Sequence, residues 1–262
     1  MSSRETHRDP VSRDDLLWGA LSLDQPEEGP RVNADTILLA AYVRNTFSGA
    51  SGRRADLLEI GCATGAISLI LAFRFPGLSS IQGMDIQGAL VELAVENARR
   101  NGYSDRVSFR EGDLRSVRSY FEAQSFDVVV MNPPYETPGR GRLRSSPSEQ
   151  AARQEVFCTL EEIASCCRYL LKNRGRLYLV FKAERACELF VRLSGKGIEP
   201  KRVRWVHPLP GRKASVVLVE ALRGGRPGMI VEPPLFIEDG SGKYTGEFLT
   251  AYTREGLPCR SV

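Results

Sequence analysis

The sequence predicts an α/β fold organised around a doubly wound parallel sheet, and three patterns agree on it. From about residue 55 onward, short apolar runs alternate with longer runs of helical apolar spacing, the signature of strands joined by crossover helices. The first of those runs passes through a small-residue turn, Gly61-Cys62-Ala63-Thr64-Gly65, straight into an apolar helix. Finally, polar residues follow directly on successive strands at Asp85, Asp113 and Asn132, the edge at which open α/β sheets bind ligands.

Taken in order, a charged leader to about residue 12 precedes a helical or loop segment that caps the fold to about residue 50. Ala55 to Ile60 reads as the first buried strand, and the helix after its turn runs through Leu71. Ser80 to Asp85 is the second strand. Gln87 to Arg100 carries Leu90, Leu93, Ala94 and Ala98 at helical spacing and stops at Asn101-Gly102. Arg106 to Arg110 forms a third strand, leading to Glu111-Gly112-Asp113, and Phe126 to Met131 a fourth. A long helix is expected over Glu149 to Leu171, then a strand over Arg176 to Phe181, a helix over Glu184 to Leu193 and a strand over Lys201 to Val206. After a turn at Pro208 to Gly211, Ala214 to Glu220 is the last sheet strand.

The chemistry is expected at Asn132-Pro133-Pro134-Tyr135, which closes the fourth strand. Two prolines fix φ and remove donors, ending the ladder and leaving the Asn132 side chain and nearby carbonyls as acceptors facing a cleft. Such acceptors suit a planar amine, whose two in-plane hydrogens they can hold while Tyr135 stacks on the attached ring. The blander reading is a strand-ending turn capped by an asparagine. Gly61 and Gly65 permit a tight turn and close backbone approach, and the helix N-terminus behind them offers free N–H groups to a polar ligand; an ordinary strand-to-helix turn would look the same. Asp85 is placed to accept hydrogen bonds from a ribose diol, as acids about 20 residues past such a loop do. Asp113 could meet the exocyclic amine of an adenine ring. For either acid alone, a helix cap or turn residue fits equally well, and their joint placement at successive strand ends favours the functional reading.

These residues together resemble class I S-adenosylmethionine-dependent methyltransferases, specifically the amino-methylating branch whose fourth strand ends in Asn-Pro-Pro-Tyr, and within it the bacterial tRNA(Val) adenine-N6 methyltransferases. The likeness covers about residues 15 to 255. It includes Arg31 to Ala40 before the loop, Val206-His207-Pro208, Val216 to Glu220, Glu232-Pro233-Pro234-Leu235 and Lys243-Tyr244-Thr245. The chain departs from the family at Ala63, where a middle glycine is usual, and at Arg153-Gln154-Glu155, where a histidine is often found. The resemblance implies a doubly wound, mostly parallel Rossmann-like sheet with an antiparallel last strand. It divides the chain into a leader and cofactor-capping segment at 1–50, a catalytic core at 51–221 and a C-terminal extension at 222–262. It also implies S-adenosyl-L-methionine held by Glu59, Gly61, Thr64, Gly65, Asp85, Asp113 and Asn132. Asn132, Pro133 and Tyr135 would then position the N6 amine of an adenine in tRNA, beside the anticodon.

Composition bounds the alternatives. At 262 residues and 42% apolar content, the chain can bury one sizeable core. No apolar stretch approaches the roughly 18 residues of a membrane span and no secretory leader opens the chain, so a cytoplasmic protein is expected. The six cysteines form no metal-binding spacing, so no metal is expected, and His7 and His207 offer no triad. His207 is read as packing near a sheet edge. The net charge of +4 is modest, but Arg140, Arg142 and Arg144 cluster just past the tetrad. Lys201, Arg202, Arg204, Arg212 and Lys213 bracket a second rim, and both groups are candidate phosphate contacts for RNA. The tetrad equally accommodates transfer to guanine N2 of ribosomal RNA or to a protein glutamine, and a catalytically silent RNA-binding module of the same fold is the alternative from another class.

Overall fold

The computed structural model describes residues 10–44, 55–133 and 158–258. Its centre is a nine-stranded sheet. The parallel strands β3 (Ala55–Ile60), β4 (Leu78–Asp85), β5 (Val107–Glu111), β6 (Phe126–Met131) and β7 (Leu171–Lys182) are followed by β8 (Ile198–His207) and β9 (Val216–Arg223). The spatial order is β8-β9-β7-β6-β3-β4-β5, so the chain winds outward in one direction from β3 and in the other from β6. β9 inserts between β7 and β8 and is antiparallel to both. It is the last long strand, but two further pairs of residues, β10 (Ile230–Val231) and β11 (Leu235–Phe236), add parallel to β8.

Both faces of the sheet are covered at its centre, which is why β3, β6 and β9 are buried at consecutive positions rather than alternate ones. Leu57 and Leu58 are both fully buried and belong to different core clusters, one on each face. One face carries α1 (Ala34–Tyr42), α2 (Ala66–Arg74) and α6 (Gly246–Thr250); the other carries α4 (Leu160–Leu170) and α5 (Ala186–Gly195). α3 (Gly88–Arg100) joins β4 to β5.

Three expectations are corrected. The capping segment is not only helix or loop: β1 (Val11–Leu16) and β2 (Leu21–Pro26) form an antiparallel hairpin before α1. The helix expected from Glu149 begins at Leu160, because Thr159 adopts an extended conformation and forms a capping box with Glu162; the part before Cys158 lies outside the described residues. It ends at Leu170, and Leu171 already pairs with Phe126 before a register shift leads into the regular ladder at Arg176.

The C-terminal segment is fastened to β8 by charges. Arg202 and Arg204 are 6% and 2% exposed, so they are not the phosphate-facing residues expected from sequence. Arg202 pairs with Glu220 and Glu232 and lies 4.7 Å over the Tyr42 ring, while Arg204 reaches Glu247 at 2.7 Å and the Pro233 carbonyl at 3.1 Å. Arg44 completes the pairing of Glu232 at 2.7 Å. Buried charges persist only where partners of this kind compensate the loss of water. Lys201 likewise turns to the Arg226 carbonyl at 3.0 Å.

Candidate functional site

Register brings the polar strand ends to one edge. Ile60 pairs with Met131 across β3 and β6, and with Met84 across β3 and β4, while Asp85 pairs with Glu111 across β4 and β5. The residues that follow, Gly61, Gly112-Asp113 and Asn132, therefore lie side by side at the carboxyl ends. β3 and β6 are also the strands between which the winding reverses, the crevice where doubly wound sheets take ligands. A cavity of about 610 Å³ opens there, lined among others by Glu59, Gly61, Thr64, Asp85, Asp113 and Asn132. That is a normal size for a small-molecule site.

The loop after β3 is held from below. Gly61 has φ 71° and donates its N–H to the Met84 carbonyl at 2.8 Å. Ala63 sits at φ 44°, in the left-handed region that a side chain disfavours, and its N–H donates to Asp85 Oδ2 at 2.8 Å. The other Asp85 oxygen accepts from the Gln87 N–H at 2.9 Å. Asp85 is 7% exposed, and its burial raises the carboxyl pKa against these hydrogen bonds. Thr64 is 2% exposed, and its carbonyl accepts from Asn97 Nδ2 at 3.0 Å.

Glu59 lies at the foot of the cavity, 1% exposed. Its Oε2 accepts from both the Ser68 N–H at 2.9 Å and the Ser68 hydroxyl at 2.5 Å. Burial nevertheless pushes its pKa up to about 8.

Two expected ligand residues behave differently. Gly65 does not line the cavity: it is the left-handed N-cap of α2, and a Cβ there would stand 2.6 Å from the Phe109 ring. Its lack of a side chain serves packing. Asp113 does line the cavity, but it caps the short 3₁₀ turn that follows, accepting from the Arg115 N–H at 2.8 Å and from Arg115 Nε at 2.7 Å. The Arg115 hydrogen bond holds its carboxyl below the usual range.

On the opposite wall, Asn132 Nδ2 donates to Thr36 Oγ1 at 3.3 Å, and the Thr36 hydroxyl donates to Asn33 Oδ1 at 3.2 Å. Asn33 caps α1, its side chain also accepting from the Thr36 N–H at 3.1 Å. The expected site did not include Thr36 or Asn33, although Asn-Ala-Asp-Thr before an apolar run is an N-cap signature. Pro133 lines the cavity next to Asn132. Tyr135, Arg140, Arg142 and Arg144 lie outside the described residues. Arg212 and Lys213 are exposed, on the turn between β8 and β9. His207 packs as expected, its Nδ1 2.7 Å from the Arg212 carbonyl and its ring 5.4 Å from Phe236. Among the described residues no cluster of metal-ligating side chains occurs, and no helix is long and apolar enough to cross a membrane.

A switch-point cavity with a glycine-bearing loop, an acid ending the second strand and an asparagine ending the fourth marks an enzyme of the class that takes a nucleotide-type cofactor. The chain belongs to the methyltransferase domain family, whose model matches residues 52–186. It is 30% identical over 205 residues to the tRNA1(Val) (adenine(37)-N6)-methyltransferase of Porphyromonas gingivalis strain ATCC 33277, covering 76% of each chain. It is 29% identical to the enzyme of that name from Vibrio parahaemolyticus, over 85% of this chain and 87% of the relative. Among solved structures, a predicted O-methyltransferase from Agrobacterium tumefaciens superposes with a TM-score of 0.67 at 22% identity, covering 87% of this chain and all of that one, which speaks to the fold. S-adenosyl-L-methionine is the cofactor of such an enzyme, and the cavity fits it. Its buried acid suits the ribose diol, and its close-approach glycine suits a ligand laid against the backbone.

Proposed function

We propose that the chain methylates the exocyclic N6 amine of an adenine in tRNA, beside the anticodon, in the cytoplasm. The observation that carries this reading is the position of Asn132, next to the cofactor loop by strand register and tied through Thr36 to the start of α1. The curated relatives named for this reaction support the choice of adenine and of tRNA.

S-adenosylmethionine supplies a methyl group on a sulfonium, already a good leaving group. Little proton chemistry is then left to the protein, whose task is alignment. The Asn132 carbonyl oxygen and the Pro133 carbonyl accept the two hydrogens of the amine, turning its lone pair out of the ring plane as it reacts. Thr36 holds the asparagine side chain by accepting from Nδ2. Asp85 anchors the cofactor's ribose, and Tyr135 stacks on an adenine drawn out of the RNA stack. Arg140, Arg142, Arg144, Arg212 and Lys213 contact phosphates.

The test is methylation of tRNA taken from cells lacking the protein, read by mass spectrometry of the nucleosides. N6-methyladenosine should form with wild-type protein. Under single-turnover conditions, Asn132→Ala should slow transfer by roughly 100- to 1,000-fold with little loss of RNA affinity, as removal of one preorganised contact does elsewhere. Methyl transfer to guanine or to a protein glutamine alone, or a normal rate for Asn132→Ala, would overturn the proposal. RNA binding without cofactor binding would identify a silent module.

A further inference from the structure

A second cavity, of about 800 Å³, lies beside the first, and the two share Arg31, Val32 and Asn33 in their walls. It is built from the hairpin and the C-terminal segment, both outside the residues matched by the family model. Its defining feature is a row of four rings. Trp18 stands 6.0 Å from Tyr252, Tyr252 5.5 Å from Phe248, and Phe248 5.1 Å from Tyr244. Phe248 is buried at 3%, whereas the two ends of the row, Trp18 and Tyr244, are 73% and 59% exposed.

The backbone that presents Trp18 is itself unusual. Trp18 and Gly19 are the central residues of the hairpin turn closed by the Ala20 N–H on the Leu17 carbonyl at 3.2 Å, and they have φ 57° and 84°. Such turns favour asparagine, aspartate or glycine at both places. Leu17 before it is also left-handed, at φ 51°. Two bulky residues in this region each cost stability, and strain that surrounding structure maintains is a feature of functional surfaces. The result is an indole held out at the rim of an aromatic groove.

We propose that this groove is a stacking subsite for an unpaired nucleobase of the substrate RNA, flanking the adenine delivered to the first cavity. The inference rests on the RNA-methylating reading above. Their shared wall at the start of α1 puts the two cavities within reach of one single-stranded segment. The chemistry favours bases over phosphates: the groove's arginine, Arg31, is already paired with Asp14 at 2.5 Å and with the Pro26 carbonyl at 3.0 Å, so the walls offer π-faces rather than spare positive charge. Aromatic faces bind any base by stacking and are a recurrent platform for single strands. Arg31 also holds the Ser12 hydroxyl at 2.8 Å, so the residue between the cavities braces the hairpin that carries Trp18.

The experiment uses the full chain and tRNA extracted from cells lacking the protein. In a Trp205→Phe background Trp18 is the sole indole, and its emission should be quenched as RNA is added. Trp18→Ala should weaken RNA binding by about 5- to 100-fold, with Trp18→Phe recovering most of the loss. Because stacking releases no counterions, the slope of log Kd against log salt should stay that of wild type. Cofactor affinity, read by calorimetry, should be unchanged. Tyr244→Ala, at the other rim, should weaken RNA binding in the same salt-independent manner. Wild-type affinity in Trp18→Ala, or an emission indifferent to RNA while the enzyme methylates it, would overturn the subsite and leave the activity standing. A wild-type protein that neither binds nor methylates this tRNA would overturn both.

Discussion

Glu59 offers a test of the site's electrostatics that requires no substrate. Buried at the foot of the cavity, its carboxyl titrates near 8 against 4.5 for an exposed glutamate, chiefly because burial penalises the charge. The folded pKa lies above the unfolded one, so the folded state binds the extra proton between these values. Stability is then fully present below about 4.5, declines as pH rises toward 8 and levels off above it. Glu59→Gln keeps an oxygen for the Ser68 N–H and hydroxyl but cannot ionise. At about 1.4 kcal/mol per pKa unit, the wild type should lose roughly 3 kcal/mol relative to the variant between about pH 5.5 and pH 8.5. Urea unfolding of both proteins at the two pH values measures this, and comparing them removes the titration of every other group. Parallel pH profiles would show that Glu59 is ionised throughout, and the reasoning from burial would be refuted.

Asp85→Asn keeps the side-chain volume but removes the charge that serves the Ala63 and Gln87 N–H groups, at 2.8 and 2.9 Å, and the proposed ribose contact. Calorimetry should show S-adenosylmethionine affinity falling by about 1.5–3 kcal/mol, the scale of hydrogen bonds to a charged group, and an unchanged Kd would remove Asp85 from the site. Ala63→Gly tests the left-handed loop: an alanine-to-glycine change in relaxed backbone costs about 0.4–1 kcal/mol through the unfolded state, but at φ 44° relief of strain should cancel that loss. A thermal midpoint lowered by the full cost would mean that Ala63 bears no strain.

The site was legible where its residues depend on sheet ends. In β6, buried on both faces, the apolar run Val128 to Met131 is continuous, so the first polar residue after it, Asn132, marks the carboxyl edge; Asp85 and Asp113 were placed there by the ends of the mixed strands β4 and β5. What the rule cannot supply is partners distant in the chain. Arg202 and Arg204 looked like surface cations because Glu220, Glu232 and Glu247, which neutralise them, come together only in the folded protein. Asp113 is a different case: the cap reading weighed from sequence is realised, with Arg115 two residues on as its partner. The hairpin was missed because β1, Val-Ser-Arg-Asp-Asp-Leu, has mostly half-exposed or exposed positions and buries only Leu16.

Those less legible parts are the ones that distinguish this chain from a generic methyltransferase core. Asn97, in the last turn of α3, donates to the Thr64 carbonyl at 3.0 Å and exchanges hydrogen bonds with Asp24 at 2.8 and 3.0 Å, tying the loop after β3 to β2. One turn later Asn101 clasps Ser22 in the same way, at 3.0 and 2.7 Å. On the other side, Thr36 ties Asn132 to the start of α1. A displacement of the hairpin therefore strains the loop after β3 through Asn97, and the approach to α1 through Gln25, whose Oε1 accepts from the Val32 N–H at 2.7 Å. On the proposed reading, RNA held on the hairpin and the adenine held at Asn132 would lie on elements joined by these hydrogen bonds.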